Sequence, residues 1–189
     1  MEIKEYLKKD FKEKINCPRD PKSTEYEPKK TSNLKAPWAI FEKIVPRYFY
    51  EHKEELGIKR IYALHNARID GVIELEDGET VMLECKFLLG WQKSCNARIE
   101  FELFRSYYYG KFKDEFNFPK PQKGLIVFGN FNGDWSKISK KYKNGWGFYH
   151  ENKQLPKSFV KTGIIKAEHI GEGNKMKIVA LKDWEGIVG

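Results

Sequence analysis

The stretch from Ala67 to Leu88 constrains the fold more than any other part of the chain. Two apolar runs, Ala67–Leu75 and Glu79–Leu88, flank the turn signal Glu76-Asp77-Gly78. Runs of this length, rich in Val, Ile and Leu and joined through Asp-Gly, predict an antiparallel β-hairpin. The loop length decides where the charges go. A two-residue Asp77-Gly78 loop would pair Glu76 with Glu79 and set Asp70 opposite Cys85. A three-residue loop with Gly78 in the left-handed conformation pairs Leu75 with Glu79 instead. The numbers of paired residues then total 154, and Asp70 lies opposite Glu84. Alternate strand residues share a face, so Lys86 joins them. A bulge would alter this register.

An acid and a base inside an apolar strand are costly unless they pair or bind something. Two carboxylates and a lysine on adjacent strands suit metal-assisted hydrolysis. Mg²⁺, with Mn²⁺ as a substitute, prefers oxygen ligands such as Asp70 and Glu84, and the main-chain carbonyl of Cys85 is a further candidate. Lys86 would orient or deprotonate a metal-bound water, or stabilise the transition state. The competing account makes Asp70 a turn residue and Glu84–Lys86 an ordinary surface pair.

The rest of the chain supplies layers for such a hairpin. Ile3, Tyr6, Leu7, Phe11 and Ile15 predict a short amphipathic helix over 2–15. Cys17 to Pro37, with four prolines and little apolar content, reads as a loop. A helix is expected over 38–56, opened by Pro37, kinked at Pro46 and closed by Gly57. Ile58–Leu64 reads as a strand preceding the hairpin. Residues 95–116 read as a long helix, Gly124–Phe128 as a buried strand, and Thr162–Ala167 and Lys175–Leu181 as two short strands. Between them, 129–162 reads as loops around a short helix near Trp135–Tyr142. A helix, three strands, a helix and a strand in 189 residues describe a single α/β or α+β domain.

Composition narrows the function classes. Aromatic residues make up 15% of the chain, too many for a disordered tail. No run of 18 apolar residues is present, which excludes a membrane-spanning helix, and the first residues lack a secretory pattern. Cys17, Cys85 and Cys95 have neither disulfide-framework nor zinc-site spacing, so a cytoplasmic location is expected. The net charge is +8, unevenly spread: residues 67–117 carry a net −3, whereas 118–166 hold ten lysines against Asp134 and Glu151. An acidic centre with basic flanks suits an enzyme that places metal ions at a phosphate, although a lysine-rich solvated surface accounts for the same charges. Lys137, Lys140, Lys141 and Lys143, interleaved with Trp135, Tyr142 and Trp146, suit phosphate contact with base stacking, or a plain exposed helix. Gln92 and Lys93, after the third strand, and Arg98 with Arg105, seven apart on one helix face, are further candidates for touching phosphate. His65 and Asn66 end the first strand, where a lone His is more often structural.

Asp70, thirteen intervening residues and then Glu84-Cys85-Lys86 resemble the signature of the PD-(D/E)xK nuclease superfamily, with Ile69 in place of the name-giving proline. The resemblance covers about 38–130. It implies a restriction-endonuclease-like α/β core, with a mixed central sheet of four or more strands flanked by helices. It implies Asp70 and Glu84 as ligands of Mg²⁺, Lys86 as the catalytic lysine, and an acidic residue on the first core helix. Glu42 is the best-placed candidate, with Glu51 behind it; a solvated helix residue is the plainer reading of Glu42. On this view the chain is one nuclease domain: an N-terminal helix and loop over 1–37, a catalytic core over 38–130 and a basic part over 131–189. The expected activity is Mg²⁺-dependent DNA endonuclease action, with a homodimer as the expected assembly. A non-enzymatic nucleic-acid-binding domain of the same fold is the rival expectation.

Overall fold

The computed structural model describes residues 21–31, 33–89, 97, 98, 100–131 and 160–182. Seven strands form one sheet in chain order: β1 (Lys22–Glu25), β2 (Ile58–His65), β3 (Gly71–Leu75), β4 (Thr80–Leu89), β5 (Lys123–Phe131), β6 (Lys161–Ile170) and β7 (Lys177–Lys182). Helix α1 (Pro37–Glu51) precedes β2. Helix α2 covers 100–111, with Ala97 and Arg98 also helical, and widens to a π-turn over Phe104–Tyr108. β4 and β5 are parallel, as are β5 and β6; every other neighbouring pair is antiparallel. The mixture follows from the connections. Short connections join the antiparallel pairs β2–β3, β3–β4 and β6–β7, α1 lies between β1 and β2, and the long passage through α2 lets β5 run beside β4 in the same direction.

The period-2 pattern of the strands divides the core between two layers. Leu83, Val127 and Ile165 face α1, which contributes Ile40, Phe41, Ile44, Val45 and Phe49. Val72, Met82, Ile126 and Phe128 face α2, which contributes Phe101, Phe104 and Tyr108. The result is an α/β protein with a mixed sheet between two helical layers. Among the described residues no helix is long and apolar enough to cross a membrane.

The hairpin takes the three-residue loop. Leu75 and Glu79 are joined by an N–H···O bond of 2.8 Å, Gly78 has φ +84°, and Asp77 accepts a 2.8 Å bond from the Glu79 N–H. The pairs Gly71↔Leu83, Val72↔Met82, Ile73↔Val81 and Glu74↔Thr80 follow, which is the register totalling 154.

Several sequence expectations need correction. The segment Cys17–Pro37 is not loop throughout, because β1 adds a strand beside β2. Its sequence, Lys-Ser-Thr-Glu, has no apolar alternation to reveal it. It is held instead by polar contacts: the Ser23 hydroxyl donates to the Glu115 carbonyl at 3.0 Å and accepts from the Asn117 N–H at 3.2 Å. Helix α1 ends at Glu51 rather than near Leu56, the chain turning through 52–57 to Gly57 at φ +64°. Pro46 lies inside α1 without ending it. The second strand begins at Gly71 rather than Ala67, because Asn66 adopts φ +56° and the chain bends through 66–70. Asp70 still extends the ladder by one bond, its N–H donating to the Leu83 carbonyl at 3.0 Å. The expected helix over 2–15 and the expected elements near Trp135–Tyr142 lie outside the described residues.

Gly71 is fixed by close approach, not by its φ. A Cβ there would sit 2.8 Å from the Tyr62 carbonyl oxygen, a main-chain atom that cannot swing aside. Gly71→Ala should therefore destabilise the protein by about 1–3 kcal/mol, whereas Gly110→Ala, with nothing within 4 Å of its added Cβ, should not. Urea denaturation of both variants checks the contrast.

β2 and β3 are also tied by Glu74, whose carboxylate accepts from Lys59 Nζ at 2.8 Å and from the Tyr62 hydroxyl at 2.9 Å. Burial alone would raise its pKa, but these two donors outweigh burial and hold the carboxyl below its ordinary value. A depressed carboxylate contributes stability above its unfolded-chain pKa and loses it as pH falls through the folded value. Glu74→Gln should thus cost about 1–3 kcal/mol at neutral pH, with the difference from wild type shrinking in acid, as read by urea melts at neutral and acidic pH.

Candidate active site

On β4, Leu83 and Cys85 point into the α1 layer, so Glu84 and Lys86 must leave by the other face. Glu84 is 4% exposed. One of its oxygens accepts from Lys86 Nζ; the other, Oε2, is buried with no hydrogen-bond partner. Asp70 arrives from the bend before β3, and its Oδ2 accepts from the Cys85 N–H at 2.7 Å. The hairpin register thus brings Asp70, Glu84 and Lys86 together. Glu42, half-buried on α1, joins them electrostatically, since the charges of both Asp70 and Lys86 act on it.

The protonation equilibria record how crowded this cluster is. Burial pushes Glu84 well above the ordinary carboxylate range, and the charge of Asp70 pushes it further, against the pull of Lys86. Burial also raises Asp70, despite the Cys85 N–H and the charges of Lys86 and Lys43. Glu42 is raised by burial and then by Asp70. Burial would lower Lys86, but Glu84 and Asp70 outweigh it, so its pKa rises and the side chain stays cationic at neutral pH. The Cys85 thiol is driven well above its usual range by burial and by the three carboxylates, so it stays protonated. Its sulfur is then unsuited to ligation, and only its carbonyl remains as a donor.

Three carboxylates thus face Lys86 and the more distant charge of Lys43, with one buried carboxylate oxygen unsatisfied. A divalent cation would satisfy that oxygen and relieve the repulsion between Asp70 and Glu84. Among the described residues no group of three or more His, Cys, Asp or Glu side chains forms a ready cage for a metal. A cation here would draw on two carboxylates and a main-chain carbonyl, a set compatible with Mg²⁺, an ion that keeps several waters and needs few protein ligands.

Other expected site residues fare differently. Arg98 is 4% exposed, so it does not share an outward phosphate-gripping face with Arg105. Its seven-residue spacing from Arg105 placed both on one stripe of the helix, but that stripe turns inward at Ala97–Arg98. Arg105 itself donates to Gln122 Oε1 at 2.8 and 3.2 Å. Glu51 is exposed at the end of α1. His65 Nε2 lies 3.2 Å from the Thr24 hydroxyl. Gln92, Lys93, Lys137, Lys140, Lys141 and Lys143 lie outside the described residues, as do Trp135, Tyr142 and Trp146. Sequence reasoning missed Lys43, whose charge acts on both Asp70 and Glu42; its only signal is its place next to Glu42. The chain matches no protein-family model, no curated protein and no solved structure.

The orphaned Glu84 oxygen generates a measurable expectation. Mg²⁺ or Mn²⁺ at about 100 times its Kd should raise the melting temperature by roughly 5–10 °C, and Glu84→Gln should abolish that shift. Thermal melts with and without divalent ion provide the check, and an identical shift in the variant would remove Glu84 from the ligand set.

Proposed function

We propose that the chain is a Mg²⁺-dependent deoxyribonuclease with a restriction-endonuclease-like core, hydrolysing DNA phosphodiester bonds as an endonuclease. The observation that carries the reading is the convergence of Asp70, Glu84 and Lys86 in one partly buried cluster, with a carboxylate oxygen left unsatisfied. The order α1, antiparallel β2–β3–β4, α2, parallel β5 supports the same core. The choice of DNA rests on the resemblance to PD-(D/E)xK nucleases.

Asp70, Glu84 and the Cys85 carbonyl would hold the cation. When bound, it supplies an acidified water and neutralises charge on the phosphate. The rest falls to the chain's own groups. Asp70 is kept in place by the Cys85 N–H, so its carboxylate does not wander when substrate arrives. Lys86, cationic at neutral pH, acts as a donor that orients the attacking water and stabilises negative charge gathering on the phosphoryl oxygens. Its raised pKa favours this role over that of a general base. Glu42, half-buried beside Asp70, would accept a hydrogen bond from water on the α1 side. A homodimer would bring one such site to each strand of a duplex.

Incubation with supercoiled, linear, nicked and branched DNA, in Mg²⁺ and in chelator, tests the activity. Lys86→Ala should lower cleavage by about 10²–10⁴-fold while DNA binding, measured separately, is kept. Wild-type cleavage in that variant would remove Lys86 from the chemistry. DNA binding without cleavage under any of these conditions would favour a non-enzymatic binding domain.

A further inference from the structure

A cavity of about 100 Å³ opens between α1 and the β1–β2 side of the sheet; the reaction described above uses the carboxylates on its wall but none of its cations. Asp70 and Glu42 line it together with three cationic or titratable side chains, Lys29, Lys43 and His65. Its wall is built, not incidental. The Tyr26 N–H donates to the Ile61 carbonyl at 2.8 Å, and its hydroxyl donates to the Lys43 carbonyl at 3.4 Å. The Arg47 guanidinium donates to the Lys29 carbonyl. The segment after β1 is thereby fastened across α1, fixing the backbones of Lys29 and Lys43 while their side chains remain exposed.

The cavity is polarised. Asp70 and Glu42 are drawn into the protein, whereas Lys29, Lys43 and His65 are exposed. Lys43 lies close enough to act on Asp70 and Glu42, yet among the described residues neither Lys29 nor Lys43 forms an ion pair. Ile61, Leu64 and Pro46 complete the lining, and apolar walls focus the field of charges at a cleft mouth. Two ammonium groups outside any ion pair, carried on backbones fastened beside a phosphodiester-cleaving cluster, match an anion that reaches that cluster from outside. Lysine serves phosphate as a point charge, without demanding a particular orientation or base.

We propose that this cavity is a phosphate subsite for a polynucleotide, in which Lys29 and Lys43 hold the phosphate next to the one cleaved at Asp70 and Glu84. The subsite rests on the nuclease reading and adds to it a sequence-independent grip on the strand that enters past α1. It places backbone recognition on the N-terminal side of the core.

The test is the salt dependence of binding to fluorescently labelled single-stranded and duplex DNA, with and without Mg²⁺. Three proteins are compared: wild type, Lys29→Ala/Lys43→Ala, and a charge-matched control, Lys175→Ala/Lys177→Ala, whose side chains lie near the start of β7. The slope of log K against log salt should become shallower by about 2 in the first variant and stay unchanged in the control. Equal losses in both variants, or an unchanged slope in the first, would overturn the subsite while the plasmid assay still decides on the nuclease. A slope change confined to Lys29 and Lys43 without any cleavage would support the subsite and count against the nuclease. If wild type binds no DNA under either condition, both readings fall.

Discussion

Gly78, at φ +84°, lets the chain reverse on three residues between Leu75 and Glu79. Nearly everything at the candidate site depends on that reversal. A strand alternates its faces with period two, so a slip of one residue would send Glu84 and Lys86 into the α1 layer and bring Leu83 and Cys85 to the surface of the site. The apolar cost of such a slip falls on the whole of β4, whose Leu83 and Cys85 are buried on one face and Met82 on the other. Core packing and the turn therefore enforce one register, and the charged residues take their positions from it.

The site in turn works against the stability of its surroundings. Glu84 is almost fully buried with one oxygen unsatisfied, beside a second carboxylate whose charge raises its pKa. Lys86 compensates only in part. A chain selected for stability alone would fill these positions with apolar residues, which often match or exceed a buried ion pair in stability. Glu74, on the same side of the hairpin, shows the contrast. Both of its oxygens are satisfied, and its pKa falls instead of rising. The two glutamates differ in what they lack, and the lack at Glu84 is of the kind that a bound cation fills.

Much of this was legible in the sequence because the decisive elements are apolar and local. The strands around β2–β4, the α1 stripe and the hairpin register all follow from runs of Val, Ile, Leu and Phe interrupted by Asp-Gly. What escaped depends on long-range contacts. β1 is four polar residues that become a strand only because Ser23 and Tyr26 find partners on Glu115, Asn117 and Ile61. The early start given to the second strand failed because Asn66 takes a left-handed conformation that no periodicity reveals. Arg98 shows the limit of spacing arguments: helical phase puts residues on a stripe but does not say which neighbours cover it. Glu42 could be placed on its helix from the sequence, but its coupling to Asp70 required α1 to be laid against the sheet.

The two outermost strands among the described residues share a feature that bears on how the molecule meets its own copies. β1 is short and polar, and β7 begins and ends in lysine, with Lys182 paired to Glu168 at 2.6 Å. An open edge invites another chain to continue the sheet unless it is brief or charged. With both margins blunted in this way, two molecules gain little by joining strand to strand. Self-association through these two described edges is thereby disfavoured, and with it end-on growth of the described sheet into fibrillar assemblies.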